Sequence, residues 1–554
     1  MAATDEDPEL IAPAPADSRE ETVRNAAVMS GGTLLSRVTG LVRVSVTLAA
    51  LGVTALSDAY NQANTTPNIV YELVLGGILT SVFLPVLVER ARGSDHREQF
   101  EAASRFLTIA LVVLSAIAVL GAIAAPWIMR FYLSSVTDPV RKQQEVQLGT
   151  FFLRWFMPQI VFYGIGAIAA GLLTANRRFA AQMYAPVLNN LAVIATMIAF
   201  VAIRGRSTPP TIATLTWGQQ TLLAAGTTFG VLAMTVALWP ALRAIGFRWR
   251  LRWDWRHESV QHLGALAKWV IVYVAANQIA YFLIINLNGR VGTGAYTVYS
   301  QAFIFFSLPH AIIAVSIFTA LLPGIAERWG GGDQAGVREL FSRGFRDTMI
   351  AMIPAALGYA VLAVPIVGLL AAFGHVTVGD RELLAKTLAA FAIGLPFFSA
   401  FQLLTRTFYA MHDSRTPALV NIGAAVVNIA ADVVYAFGFG WGVWGLALGH
   451  ATSYAIGSLV LLAVLRARLG GLDGRRIGRT LARTFLAAMV VAIMAGGSAL
   501  LVGQVLDVDR PVVRLLQVAV GVSVGVLAFL TCAFMFGISE VDEVRRALLA
   551  RFRR

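Results

Sequence analysis

Two arginines stand inside a stretch otherwise suited to a lipid bilayer. Arg37 and Arg43 belong to Ser36-Arg37-Val38-Thr39-Gly40-Leu41-Val42-Arg43, with mostly apolar runs from Ala26 to Ser30 and from Val44 to Val53 on either side. Roughly 20 apolar residues cross a membrane as a helix. A guanidinium at that depth costs a few kcal/mol or more, so it normally faces a polar cavity or a partner. Six residues at roughly 1.5 Å each set the two arginines about 9 Å apart along the axis. Ser36, Gly40 and Arg43 share one face at i, i+4, i+7, with Arg37 about 100° round from it. The pair could grip an extended anion such as a pyrophosphate, because each guanidinium offers a planar fork of donors. The blander alternative keeps only Arg43 deep and lets Arg37 snorkel to the near interface.

Few other cationic residues lie inside apolar runs, and some acidic and amide residues there stand out. Glu72 is placed to neutralise Arg43, which would lower the cost of both charges. Asp58 opens the same run and suits a helix cap or an outer gate. Asn428 and Asp432 stand at i, i+4, and Asn277 and Gln278 interrupt another run. A carboxylate with amide and backbone oxygens suits a small hard cation, and a hydrogen-bonded packing cluster uses the same residues. Asn286, Asn288 and Arg290 close their span and read as interfacial, and His450 as a satisfied core histidine. Cys532 is the single cysteine, so no intramolecular disulfide can form.

These residues need many helices to hold them. Of the 554 residues 57% are hydrophobic and only 14% charged. Soluble domains carry about 25% charged residues, so the composition is that of an all-α polytopic membrane protein. Fourteen apolar runs are expected near 26–53, 58–88, 104–132, 147–174, 180–203, 212–242, 263–289, 293–326, 345–373, 384–410, 416–439, 441–466, 481–505 and 511–537. Residues 1–24 are acidic and rich in Ala and Pro, without a signal-peptide pattern, and read as a disordered tail. Basic loops alternate with poorer ones. Arg90 and Arg92, Arg177 and Arg178, Arg328 and Arg338, and Arg466 to Arg479 fall in one set, together with both termini. That set is expected in the cytoplasm. The net charge of +13 therefore reads as topology and lipid attraction, not nucleic acid. The link 243–262, with Arg248-Trp249-Arg250-Leu251-Arg252-Trp253, has the composition of a headgroup-layer segment.

The chain also repeats itself. Phe83-Leu84-Pro85 with Glu89-Arg90 matches Leu321-Leu322-Pro323 with Glu327-Arg328, and Ala185-Pro186-Val187-Leu188-Asn189-Asn190 matches Thr416-Pro417-Ala418-Leu419-Val420-Asn421. Both pairs relate span n to span n+6. The expected units are therefore an N-lobe at 25–242, the link 243–262, a C-lobe at 263–467, two further helices at 468–538 and a basic tail at 539–554. A cavity should lie between the lobes.

At this point the residues carry a family. Ser36 to Arg43, Ser57-Asp58-Ala59-Tyr60, Thr66-Pro67-Asn68-Ile69, Phe83-Leu84-Pro85, Leu173-Thr174-Ala175-Asn176, Thr319 to Pro323 and Phe408-Tyr409-Ala410 occur in order. Together they resemble MurJ/MviN-type lipid II flippases of the multidrug/oligosaccharidyl-lipid/polysaccharide exporter superfamily. The resemblance implies two six-helix lobes plus two C-terminal helices that offer a groove for a lipid tail. It implies movement of the undecaprenyl-pyrophosphate-linked peptidoglycan precursor, lipid II, from the inner to the outer leaflet of a bacterial inner membrane, with Arg37, Arg43 and Asp58 matching residues the family uses. Ser36, on the face of Arg43, and Glu72, placed to pair with it, complete the candidate contacts from the residues alone. It also implies sodium in the second lobe of some members, here at Asn428, Asp432 and Asn277, or the membrane potential, as driving force. Cell-wall synthesis proteins are expected partners. Tyr71-Glu72 and Gln301-Ala302-Phe303 stand where the family often has basic residues. A multidrug or other polysaccharide-precursor exporter, and a transport-deficient cell-wall scaffold, stay open at this stage. None of these readings makes the chain an enzyme.

Overall fold

A computed structural model of the chain describes residues 19–71, 96–176, 178–205, 209–252, 268–371, 374–508, 510–538 and 540–541. Among them the fold is helical throughout, with no strand. The helices are α1 (Arg19–Leu51), α2 (Ala55–Tyr71), α3 (His96–Tyr132), α4 (Pro139–Phe156), α5 (Gln159–Ala175), α6 (Ala180–Arg204), α7 (Trp217–Val236), α8 (Trp239–Ala244) and α9 (Lys268–Val291). There follow α10 (Ala295–Pro309), α11 (Val315–Gly330), α12 (Gln334–Leu370), α13 (Val378–Ile393), α14 (Leu395–Ala410), α15 (Arg415–Asp432), α16 (Gly442–Arg468), α17 (Gly474–Val505) and α18 (Pro511–Met535). Among the described residues, eleven segments are long and apolar enough to cross a membrane, and the bent pair α13–α14 makes twelve. Helices α2 and α9 occupy the places of the second and seventh expected spans. The chain is thus a multi-pass membrane protein, its helices compatible with fourteen crossings.

Breaks in the helices follow proline and glycine. Pro158 separates α4 from α5, and Pro309 precedes a π-helical turn at His310–Ala314. The α13–α14 pair bends by 46° at Gly394, just before Pro396. Proline removes an N–H and clashes with the preceding turn, which frees the helix to kink there. The sequence led us to expect unbroken runs at 147–174 and 384–410. The fourth span also starts earlier than its apolar run, because Asp138 accepts from the amides of Val140 and Arg141 and Pro139 takes the first helical position. Helix α1 begins at Arg19, inside the stretch read as tail.

Two apolar cores hold the bundle. One draws on α2 to α8, around Tyr60, Phe152, Phe156 and Phe200. The other draws on α10 to α16, around Phe305, Phe341, Phe391 and Phe401. Helix α1 serves both, with Ala50 and Leu51 in the first and Val44 and Leu48 in the second. Helices α17 and α18 pack on each other and on α12. A buried ion pair ties them down: Arg346 Nε donates to Glu540 Oε1 at 2.6 Å, and Ser342 accepts a second bond from the guanidinium. At the same end, Arg468 lies 2.7 Å from Asp413 in the α14–α15 turn. Burial raises the Asp413 carboxyl, but hydrogen bonds from Thr416 and the Arg468 charge outweigh it and bring the group below the ordinary aspartate range.

Candidate binding cavity

A polar stripe organises the space between the lobes. Asn61, Asn64, Thr65 and Asn68 stand at i, i+3, i+4, i+7 on α2, so one helix face carries all four. They line a cavity of about 180 Å³ with Arg43 and Thr47 of α1, Asn189 of α6, and Ser300 and Gln301 of α10. Thr65 and Asn68 also line a second cavity of about 330 Å³, reaching Asn277, Gln278, Asn421, Asn428, His450 and Ser453. The two therefore form one cleft. Its first half holds a cation, and its second half holds carboxamides and hydroxyls.

Arg43 is the charge in this cleft. It is half-buried, eight residues before the end of α1, which places it about 12 Å from that helix end. Among the described residues no carboxylate pairs with it and no acceptor binds it; its electrostatic neighbour is the Tyr60 hydroxyl. Arg37 is exposed and does not line this cavity, and Ser36 is half-exposed and faces α6. There Asn190 Nδ2 donates to the Ser36 carbonyl at 3.1 Å and to Thr39 Oγ1 at 3.0 Å. The face predicted to align Ser36, Gly40 and Arg43 thus begins against α6 and reaches the cleft only at Arg43. Glu72 lies outside the described residues.

Asp58 sits apart from the cleft, in a seam that joins the lobes. It is buried, and its carboxylate accepts from the Gly294 amide at 2.6 Å, the Thr297 amide at 2.9 Å and Thr297 Oγ1 at 2.8 Å. It therefore caps α10 of the opposite lobe from 236 residues away, filling orphan amides at a helix N-terminus. Gly294 has φ +77°, and a Cβ there would run into Val53, so the close approach needs glycine. Ser57 and Asn61 reach Thr297 Oγ1 at 3.0 and 3.2 Å. Arg141, paired with Glu145, donates to the Gly292 carbonyl. Asn286 of α9 donates to Ser134 and the Phe131 carbonyl in the turn after α3. His375 N donates to the Ala49 carbonyl. All these contacts gather where α1 ends and α2, α4, α10 and α13 begin. Asp58, grouped by sequence with substrate contacts, is structurally a closing element, because both of its oxygens are taken by the facing lobe.

In the C-lobe, Asn428 Nδ2 donates to Asp432 Oδ1 at 3.0 Å. The other oxygen, Oδ2, is buried without a hydrogen-bond partner among the described residues. Gly449 permits this burial, since a Cβ there would collide with Asp432. A π-helical turn at Val433–Gly438 follows directly, a feature frequent at functional sites. Asn277 stands elsewhere: its Oδ1 accepts from Asn421 at 3.1 Å, two turns before Asn428. His450 is not a satisfied histidine. Its ring packs edge-on against Phe303, Phe391 and Tyr454, and neither nitrogen has a partner among the described residues. Asn286 is a lobe-bridging residue, beyond the interfacial role read for it.

Sequence reasoning passed over the α2 stripe, whose signal was present in four polar residues at helical spacing inside an apolar run. It also missed Thr297 and Gly294, which carry no local signal.

Comparison with known proteins agrees with the geometry. The family model described as lipid II flippase MurJ matches residues 48–508. A lipid II flippase MurJ of Burkholderia cenocepacia is 30% identical over 454 residues, covering 80% of this chain and 84% of that protein. A probable lipid II flippase MurJ of Rhizobium meliloti is 28% identical over 415 residues, covering 74% of each. Among solved structures, a lipid II flippase MurJ in an inward closed conformation superposes with a TM-score of 0.71 at 20% identity, covering 92% of this chain and 98% of that one. An inward-facing multidrug resistance MATE family transporter reaches 0.64 at 14% identity, covering 78% and 94%. At these identities the structural matches speak for the fold.

Proposed function

This chain belongs to the MurJ family of lipid II flippases, and from that premise we propose that it carries lipid II from the inner to the outer leaflet by alternating access of its two lobes. It is a transporter, not an enzyme: the work consists of binding, enclosing and releasing one lipid. The observation that carries this reading is Arg43, a cation without a counter-ion among the described residues, in a polar cleft between the lobes. A pyrophosphate would supply the missing anion through bidentate, charge-assisted bonds. The carboxamides of the second half suit the sugar and peptide hydroxyls and amides of the same headgroup. The polyprenyl tail would stay in lipid along the C-terminal pair, where Val512, Leu515 and Val522 of α18 are exposed. Arg37, nearer the inner end, suits a first contact on entry.

The test is reconstituted flipping of labelled lipid II. Arg43→Ala should weaken transition through the loaded state by about 2–5 kcal/mol, and Arg43→Lys should rescue only partly, since it lacks the fork. Because Glu72 can be stranded by the loss of Arg43, Arg43→Ala is compared with Arg43→Ala/Glu72→Gln. A well-folded Arg37→Ala/Arg43→Ala double variant that flips lipid II at the wild-type rate would refute the mechanism.

The Arg-rich loop set supports an orientation with both termini and the 243–262 link in the cytoplasm. The described part of that link lies along the start of α3, where Arg252 pairs with Glu101 at 2.9 Å. In a Cys532→Ala background, a cysteine in this link should stay unlabelled by an impermeant external reagent; strong labelling would reverse the layout.

Asn428 and Asp432 fit a monovalent cation, because one buried carboxylate oxygen lacks a partner beside an amide. They would hold sodium through Asp432 and the Asn428 amide oxygen. Sodium there would supply positive charge to the C-lobe and link its packing to the ion gradient. Asn277, engaged by Asn421, would not take part.

A further inference from the structure

We propose that the first turns of α17 form a headgroup site for an anionic phospholipid of the adjoining leaflet. Arg475, Arg476, Arg479 and Arg483 line a cavity of about 300 Å³ together with Thr480, Gly537, Ile538 and Glu540. Among the described residues, four guanidiniums therefore face one carboxylate. That carboxylate is already neutralised, because Glu540 is held at 2.6 Å by Arg346 from below. Arg483 anchors one wall by donating to the Gly537 carbonyl at 2.8 Å. The remaining cations have no acceptor among the described residues.

The shape of α17 selects a lipid over a free anion. Arg475, Arg479 and Arg483 follow at four-residue intervals, about 6 Å apart along the axis. At 100° per residue, Arg475 and Arg479 fall on the same face as Leu486, Met489 and Ile493. Those three are 56%, 44% and 68% exposed. One continuous face thus changes from cationic to apolar within about 10 Å, so it can meet a headgroup at one end and acyl chains at the other. Basic pockets between membrane helices bind acidic headgroups in this way. The site lies at the far end of α17 from the seam around Asp58, and none of its residues lines the central cleft. It adds a fixed lipid contact to the flippase reading and does not depend on that reading.

Native mass spectrometry of the full chain in detergent, titrated with phosphatidylglycerol or phosphatidylcholine, tests the assignment. Phosphatidylglycerol should bind the more tightly. Arg475→Gln/Arg479→Gln should lower its affinity about thirty-fold, at about 1 kcal/mol for each arginine. Arg475→Lys/Arg479→Lys should keep most of it. The charge-matched control Arg243→Gln/Arg248→Gln, at exposed arginines of the same end, should leave it unchanged. Equal loss in the control would make the effect general surface charge and overturn the site. Equal binding of phosphatidylcholine would do the same. Displacement of phosphatidylglycerol by equimolar inorganic phosphate, or by equimolar lipid II, would assign the cations to another ligand and overturn the proposal. Normal lipid II flipping by the glutamine variant would leave the transport mechanism intact, so the two failures are separable.

Discussion

Replacing Asp58 by asparagine should unlock the seam between the lobes. The carboxylate accepts three hydrogen bonds from the start of α10, at 2.6, 2.9 and 2.8 Å. Bonds to a charged acceptor contribute about 1.5–3 kcal/mol each when independent. Three on one buried carboxylate are not independent, and the desolvation of that charge removes several kcal/mol. We take the net value as about 2–4 kcal/mol, present only while this end is closed. Asparagine loses the charge and turns an amine toward one of two backbone N–H donors, so most of that value should go. The closed-to-open ratio should then fall by about 30- to 900-fold. Ser300 lines the Arg43 cavity and reports on it as Ser300→Cys in a Cys532→Ala background. An impermeant thiol reagent applied outside should label this cysteine slowly with Asp58 intact and much faster with Asp58→Asn. Thr297→Val keeps the amide bond, loses only the hydroxyl contact and should give a smaller increase. Equal labelling rates in all three backgrounds, at equal protein levels, would show that the seam does not gate the cavity.

Two further expectations concern the C-lobe and the C-terminal pair. Asp432→Asn should lower sodium affinity in a binding assay without changing thermal stability much, because the unpartnered oxygen is the one that a cation would use; unchanged sodium binding would leave Asp432 a packing role. Arg346→Ala should destabilise the protein by about 3–5 kcal/mol in detergent melts, since it strands buried Glu540, whereas Arg346→Met/Glu540→Leu should come close to wild type. Similar melting of the single and double variants would mean that the pair is not buried as described.

The fold was legible in the sequence wherever one physical constraint acts locally. A bilayer needs about 20 apolar residues per helix, and that alone located the described membrane-spanning helices. Capping signals such as Asp138-Pro139 were equally local, yet they lay outside the apolar run and went unread. The site was legible only in part. Arg43 stood out because a charge in an apolar run needs a reason. Its alignment with Ser36 was a correct helical-face argument with the wrong neighbour, since α6 covers the first part of that face. The cap and gate roles read for Asp58 were local, but its partners were not: its hydrogen bonds go to Gly294 and Thr297, more than 230 residues away, and Arg141 lies 4.0 Å from its carboxylate.

Arg43 gives the empty protein a reason to wait. A guanidinium left unpaired when water is excluded costs several kcal/mol, and less while the cleft stays wet. Sealing the cleft around an empty site would therefore be disfavoured by the residue proposed to bind the ligand. On the proposed reading, a pyrophosphate would remove that penalty by supplying the counter-charge, and so would stabilise the sealed state more than the hydrated one. A ligand shifts a conformational equilibrium only by such a difference in affinity. Helix α1 is placed to transmit the shift, because Arg43 is next to Val44 of the C-lobe core and about two turns before Ala50 and Leu51 of the N-lobe core. The same charge would then select the substrate and prevent the lobes from cycling without it.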